Sequence, residues 1–264
     1  MTWIELADGV FARRYAELDQ TLGLVVGGDR CLVVDTGTDE QHGADWAAAI
    51  REITPLPWTV VITHAHWDHF LGTTAFGAAP VWAHPGCLAA MESGAAEQTK
   101  TWAEKYRESG RDDLADRLLR APVVLPDHSV PGSTDLDLGD RTVTLLHPGR
   151  GHTDHDVVVH VPDAGVVFAG DTVEQGAPPS IGADSFPLEW PGTLDVLLNL
   201  GPRTVVPGHG EPVDAGFVRG QRAELATVAS LCDGVRSGSI TVEEAVAHSP
   251  YSEAATRPAL ELGA

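Results

Sequence analysis

Thr63-His64-Ala65-His66-Trp67-Asp68-His69 places four metal-competent side chains in one short turn, directly after the apolar run Val60-Val61-Ile62. A buried strand that ends in crowded imidazoles and a carboxylate faces a large desolvation cost unless a cation balances them. Zinc takes neutral imidazole nitrogen and carboxylate oxygen, so these residue types suit it. His64 and His66, two apart, can reach one ion from a tight turn. Asp68 and His69, displaced along that turn, can serve a second. The stretch reads as half of a two-metal site.

The same pattern recurs along the chain. Gly151-His152-Thr153 follows Thr142-Val143-Thr144-Leu145-Leu146, Gly170-Asp171-Thr172 follows Val166-Val167-Phe168-Ala169, and Gly208-His209-Gly210 follows Thr204-Val205-Val206-Pro207. Each time a short β-branched or apolar run ends and a ligand-type side chain appears within a few residues, which puts all of them at one edge of the sheets. The neighbouring glycines permit backbone turns that aim those side chains inward.

With these residues in view, the chain resembles the metallo-β-lactamase superfamily from about Val10 to Pro212. The superfamily pattern His-x-His-x-Asp-His, followed by single His, Asp and His residues at strand ends, is matched at His64, His66, Asp68, His69, His152, Asp171 and His209. Val33-Val34-Asp35-Thr36-Gly37 matches its early strand-turn segment. The resemblance implies that His64, His66 and His152 hold one metal and that Asp68, His69 and His209 hold the other. Asp171 would then bridge the two. It also implies an α/β (α+β) αββα four-layer sandwich.

At 264 residues and 43% apolar, the chain can bury one substantial core and reads as a single domain over residues 1–264. No run approaches the ~18 apolar residues of a membrane span. Met1 to Asp8 has neither the basic start nor the apolar stretch of a signal peptide. Cys31, Cys87 and Cys232 are odd in number and widely spaced, which suits reduced, buried thiols. A cytoplasmic location is therefore expected. The net charge of −21 repels polyanions and argues against a nucleic-acid partner. The densest basic stretch, Lys100 to Arg120, is interleaved with acids and reads as a solvated helix face, with Asp113 and Arg117 at i,i+4 spacing.

Strands are expected near Trp3–Leu6, Val10–Arg14, Leu22–Val26 and Cys31–Val34. A helix with Trp46, Ile50 and Ile53 on one face should follow. From about residue 85 to 120 the periodicity turns helical, with Trp102, Tyr106, Leu114 and Leu118 on an inner face, and this insert is placed as a wall or lid over the site. The second half carries strands near Arg141, Val157, Val166 and Thr204 and a helix around Leu194–Leu200. Helices fill residues 215–264, where Thr241 and Glu244 have capping-box spacing for a last short one.

Two divalent ions ~3.5–4 Å apart share a water, lower its pKa and polarise a carbonyl oxygen. Asp68, with one oxygen free of metal, is the candidate general base or proton shuttle. Metal-bound imidazoles donate their other N–H to a carboxylate or carbonyl, and Asp35 is the best such partner in the sequence. Thr153 would steady the His152 loop. His155 and Asp154 are expected at the surface, Trp67 and Tyr106 are candidate pocket walls, and His42, His84, His128, His147, His160 and His248 are read as surface or core residues.

The resulting expectation is a two-zinc hydrolase of a small-molecule ester, thioester or lactone. β-Lactam cleavage is the second reading. By resemblance, one large group of β-lactamases has Cys at Asp171 and a carboxylate-gripping Lys three residues on, where this chain has Glu174. Glyoxalase II shares the full ligand set but grips glutathione with basic residues that are scarce here after Arg222. An iron-dependent persulfide dioxygenase-like oxidoreductase is a further alternative, since ligand identity does not separate one iron from two zincs. Oligomeric state is not legible.

Overall fold

The computed structural model of the chain describes residues 3–263; Met1, Thr2 and Ala264, at the ends of the expected domain, lie outside them. Among the described residues, strands β1 (Trp3–Ala7), β2 (Val10–Arg14), β3 (Thr21–Val26), β4 (Cys31–Val34), β5 (Trp58–Val61), β6 (Val81–Ala83) and β7 (His128–Ser129) lie side by side in that order. The first four are antiparallel and β4 to β7 run parallel. A second sheet has the order β12 (Thr204–His209), β11 (Val166–Glu174), β10 (Val158–Val161), β9 (Thr142–Leu146) and β8 (Ser133–Asp137). Only its β11–β12 pair is parallel.

Strand alternation decides which side chains face which layer. Leu32, Val34 and Val61 of the first sheet meet Leu145, Val159, Phe168 and Val206 of the second in one buried cluster. The alternate residues Leu24, Val33 and Val60 turn outward onto Trp46 and Ile50 of α1 (Glu40–Ile53) and onto Met91 and Tyr106 of α3 (Pro85–Glu108). On the far side, Val158, Val167 and Val205 meet Leu194 and Leu197 of α5 (Trp190–Asn199) and Val218 and Leu225 of α6 (Ala215–Arg236). Two sheets packed face to face with helices outside make a four-layer αββα sandwich, as expected.

Several local expectations need correction. Ile53, at the frayed end of α1, is 38% exposed rather than buried with Trp46 and Ile50. The helical insert spans the expected residues as a hairpin of α3 and α4 (Asp112–Arg120). Arg117 turns away from Asp113 toward Asp39, with Nε 3.6 Å from Oδ2, because α4 packs beside the start of α1. The capping box at Thr241 and Glu244 starts α7 (Val242–His248) as read, but α8 (Glu253–Leu262) follows it. Cys31, Cys87 and Cys232 are buried and free.

Phe168 is the largest buried side chain of the cluster between the sheets, and a side chain at Gly23 on the opposing sheet would overlap its ring. Phe168→Ala should therefore leave a cavity between the layers and cost about 3–5 kcal/mol. A denaturant midpoint lowered by that much, with unchanged slope, is the expected result.

Candidate metal centre

All seven ligand-type residues converge at one edge of the sandwich, in two groups: His64, His66, His152 and Asp171, and Asp68, His69 and His209. They come from five pieces of local structure. His64 and His66 sit in the turn after β5, and Asp68 and His69 on the short helix α2 (Trp67–Phe70). His152 lies between β9 and β10. His209 ends β12, as expected, whereas Asp171 does not follow a strand end but lies within β11. The reason is a register break: β11 bulges at Gly170, whose φ of +53° suits glycine, and pairing resumes beyond it at Glu174 and His209. A Cβ on Gly208 would overlap the Asp171 carboxylate, so the glycine gives that carboxylate its room.

The outer hydrogen bonds of the imidazoles assign their tautomers. His69 donates Nδ1–H to Asp35 Oδ2 at 2.8 Å, and His209 donates Nδ1–H to the Leu18 carbonyl at 2.8 Å. His152 donates Nδ1–H to the Ser180 carbonyl at 3.0 Å, and His66 donates Nε2–H to Asp184 Oδ2 at 3.0 Å. Thr63 gives its hydroxyl hydrogen to Asp35 Oδ2 at 2.8 Å and so accepts from His64 Nδ1 at 3.1 Å. In the neutral rings every inward nitrogen is thereby left with a lone pair.

The consequence is a set of acceptors facing one another. His66 Nδ1 lies 3.0 Å from His64 Nε2 and 2.9 Å from His152 Nε2, and three lone pairs cannot satisfy each other. In the second group His209 Nε2 and His69 Nε2 lie 3.3 and 3.4 Å from Asp68 Oδ2. The Asp171 carboxylate reaches both groups, at 3.3 Å from His69 and His209 and 3.6 Å from His152. His69 Nε2 and Asp171 Oδ1 are buried without a hydrogen-bond partner. This donor chemistry fits divalent cations, one per group, with Asp171 between them.

Electrostatics point the same way. Burial drives His64 well below the usual histidine range and His152 to about 4. Burial also opposes charge on His69 and His209, but the carboxylates, Asp171 first, outweigh it and raise both well above that range. Burial raises Asp171, yet the surrounding imidazoles, His209 foremost, hold it well below the usual carboxylate range. Protons here occupy the place of cations, and cations would displace them.

A cavity of about 440 Å³ opens above these groups, walled by Leu18, Trp67, Gln98 and Trp102 on one side and by Glu174, Ser180, Gly182 and Asp184 on another. Helix α3 thus supplies a wall, as expected. Trp67 lines the cavity, whereas Tyr106 packs behind it at 6.0 Å between ring centroids. Asp154 is exposed, but His155 is buried: its Nε2 accepts the Ala65 N–H at 3.2 Å and braces the ligand turn from behind. His42 is a core residue, packed against Tyr15 with ring centroids 4.1 Å apart and the planes tilted by 57°.

Thr153 donates N–H and hydroxyl to Asp156 at 2.9 and 2.7 Å, which closes the His152 loop. Asp156 went unnoticed in the sequence, although the Thr-x-x-Asp spacing carries the signal for such a turn. Burial raises its carboxyl to about 7 despite both hydrogen bonds. Leu18, Ser180 and Asp184 were also missed. Leu18 and Ser180 act through backbone carbonyls, which any residue supplies, and Asp184 sits in a stretch without periodicity. Leu18 has a φ of +55°, an uncommon conformation for a non-glycine residue, which carries its carbonyl to His209.

The sequence profile of the Metallo-beta-lactamase superfamily matches residues 17–209. The chain belongs to that superfamily. It is similar to the metallo-beta-lactamase type 2 of Bacillus cereus, 26% identical over 222 residues that cover 82% of this chain and 76% of that one. It is also similar to the human (Homo sapiens) acyl-coenzyme A thioesterase MBLAC2, 28% identical over 250 residues that cover 87% and 88%. Among solved superfamily structures, metallo-beta-lactamase FIM-1 from Pseudomonas aeruginosa, in its mono-zinc form, superposes with a TM-score of 0.64 at 21% identity, over 87% of this chain and 96% of that one. No helix among the described residues is long and apolar enough to cross a membrane.

Asp35 accepts from His69 and twice from Thr63, so Asp35→Asn should lower zinc affinity about 10- to 100-fold. Zinc titration against a chromophoric chelator checks this, and wild-type affinity in the variant would remove Asp35 from its supporting role.

Proposed function

We propose that this superfamily member is a dinuclear zinc-dependent hydrolase that cleaves an ester, thioester or lactone bond of a small molecule. The observation that carries the reading is the set of imidazoles with lone pairs fixed inward, sharing Asp171 at the floor of an open cavity. His64, His66 and His152 would hold one ion and Asp68, His69 and His209 the other, with Asp171 bridging. Two bound cations supply Lewis acidity toward a carbonyl oxygen and an acidified water.

The chain's own residues do the rest. Asp68 lines the cavity with Oδ2 toward His69 and His209, which leaves its other oxygen to orient the attacking water and take its proton. Leu18, Trp67 and Trp102 offer an apolar wall to an acyl chain. No Lys or Arg is among the described residues that line the cavity, and Asp184, its carboxyl lowered to about 2 by the His66 N–H against the effect of burial, adds negative charge there. An uncharged acyl group therefore suits the site better than one bearing a carboxylate. The similarity to MBLAC2 along most of both chains supports an acyl thioester in particular.

β-Lactam hydrolysis is the second reading, favoured by the similarity to the type 2 enzymes. Glu174 weighs against it: burial and the nearby Asp171 charge raise its carboxyl to about 7, but it offers no cation to grip a carboxylate. The reading includes a reducing, cytoplasmic setting, supported by the buried free thiols.

Elemental analysis of protein purified without added metal should give about two zincs per chain; a single iron would replace hydrolysis by an oxidoreductase reading. In a panel of thioesters, lactones and β-lactams, uncharged acyl thioesters should be turned over best. A preference for carboxylate-bearing β-lactams would reverse the order of the two readings. His66→Ala should lose metal and hydrolysis together. Asp68→Asn should keep appreciable metal but lose about 10²- to 10⁴-fold in kcat, and wild-type turnover there would remove Asp68 as shuttle.

A further inference from the structure

The two ligand groups are supported in different ways. The outer nitrogen of His69 is held by Asp35, whose side chain is only 3% exposed in the core between strands. The outer nitrogens of His66 and His152 are instead both held by one irregular segment, residues 175–186, between β11 and α5. Asp184 takes the His66 N–H and Ser180 takes the His152 N–H. Ser185 ties the segment down from the same side: its hydroxyl donates to the His152 carbonyl at 2.8 Å and accepts the Gly182 N–H at 3.0 Å. Asp184 is 50% exposed, and with Ser180 and Gly182 it also lines the cavity.

We propose that the 175–186 segment selectively sets cation affinity at the His64–His66–His152 group, with Asp184 as the positioning residue, an inference that rests on the two-metal reading above. The physical basis is the tautomer. With its Nε2–H on Asp184, His66 must present the Nδ1 lone pair to the cation; without that acceptor the ring is free to turn or to change tautomer. His69 and His209 have no contact of this kind with the segment's side chains, since their outer partners are Asp35 and the Leu18 carbonyl. Because the same segment faces the cavity, a bound substrate that moves it changes the cation affinity of this group, and by linkage the cation changes substrate affinity by the same factor.

The test is zinc titration of the apoprotein of wild type, Asp184→Ala, His152→Ala and the double variant, against a chromophoric chelator. Wild type should bind two zincs. Asp184→Ala should weaken one binding step about 10- to 100-fold and leave the other unchanged. Asp184→Asn, which keeps an acceptor oxygen, should lose less. In the His152→Ala background, where that group is already broken, adding Asp184→Ala should change nothing further. Apoprotein melting temperatures should stay level between wild type and Asp184→Ala, because the side chain is half exposed. Two steps of wild-type affinity in Asp184→Ala, or equal weakening of both, would overturn this inference and leave the two-metal reading standing. Wild type that takes up no zinc would overturn both.

Discussion

The carboxylate of Asp35 is the contact on which the metal edge of this fold depends. It accepts the Thr63 N–H and hydroxyl, each at 2.8 Å, and the His69 Nδ1–H at 2.8 Å. Thr63 in turn accepts from His64, so a single side chain after β4 orients an imidazole in each ligand group. Its backbone is held as firmly: Asp35 N–H donates to the Val61 carbonyl, and the Trp46 indole donates to the Asp35 carbonyl. These bonds sustain a φ of +60°, a conformation costing on the order of 1 kcal/mol or more outside glycine.

Much of this was legible in the sequence because it rests on side-chain type and spacing. The His-x-His-x-Asp-His turn, the three later ligand-type residues and Asp35 all advertise themselves by residue type beside β-branched runs. Strands β2 and β4 match their expected limits because alternation and short apolar runs leave little freedom. The sequence failed where the information is in the backbone. Leu18 and Ser180 contribute carbonyls, so no residue type marks them. Asp171 lies within a strand because a bulge at Gly170 lets β11 continue past its ligand, and bulges carry no periodicity. His155 was misplaced because its polarity suggested solvent, whereas its ring nitrogen is used to brace Ala65.

The tautomer assignments turn a list of ligands into a statement about charge. A neutral imidazole that donates outward accepts inward, and each of the five ligand-type rings has such an outward partner. Gathering unpaired lone pairs in this way is a cost borne by the folded chain. Burial opposes protonating His64 and His152, so protons compensate one group poorly, while the carboxylates favour protons on His69 and His209. In the first group only His66 is raised, by Asp184 against the opposing effect of burial, so a cation entering there would displace protons from that ring alone. One entering the second must displace them, which makes its affinity the more steeply dependent on pH.

The acidity of the whole chain gives this arrangement a further meaning. Asp68, Asp171, Glu174 and Asp184 all face one cavity of about 440 Å³ in a protein of net charge −21, and no lining Lys or Arg offsets them. Such a concentration of carboxylates is costly in a partly desolvated cleft, and divalent cations are the compensation that the donor geometry accepts. Asp68 and Asp171 lie against the imidazoles that would share such ions. Glu174 and Asp184 stand one step further out and differ in charge. Burial raises the Glu174 carboxyl to about 7, whereas the His66 N–H, acting against burial, lowers that of Asp184 to about 2. The side chain that orients His66 thus also places a fixed negative charge at the mouth of the cavity, so the support of a cation below and the repulsion of an anionic group above meet in one carboxylate.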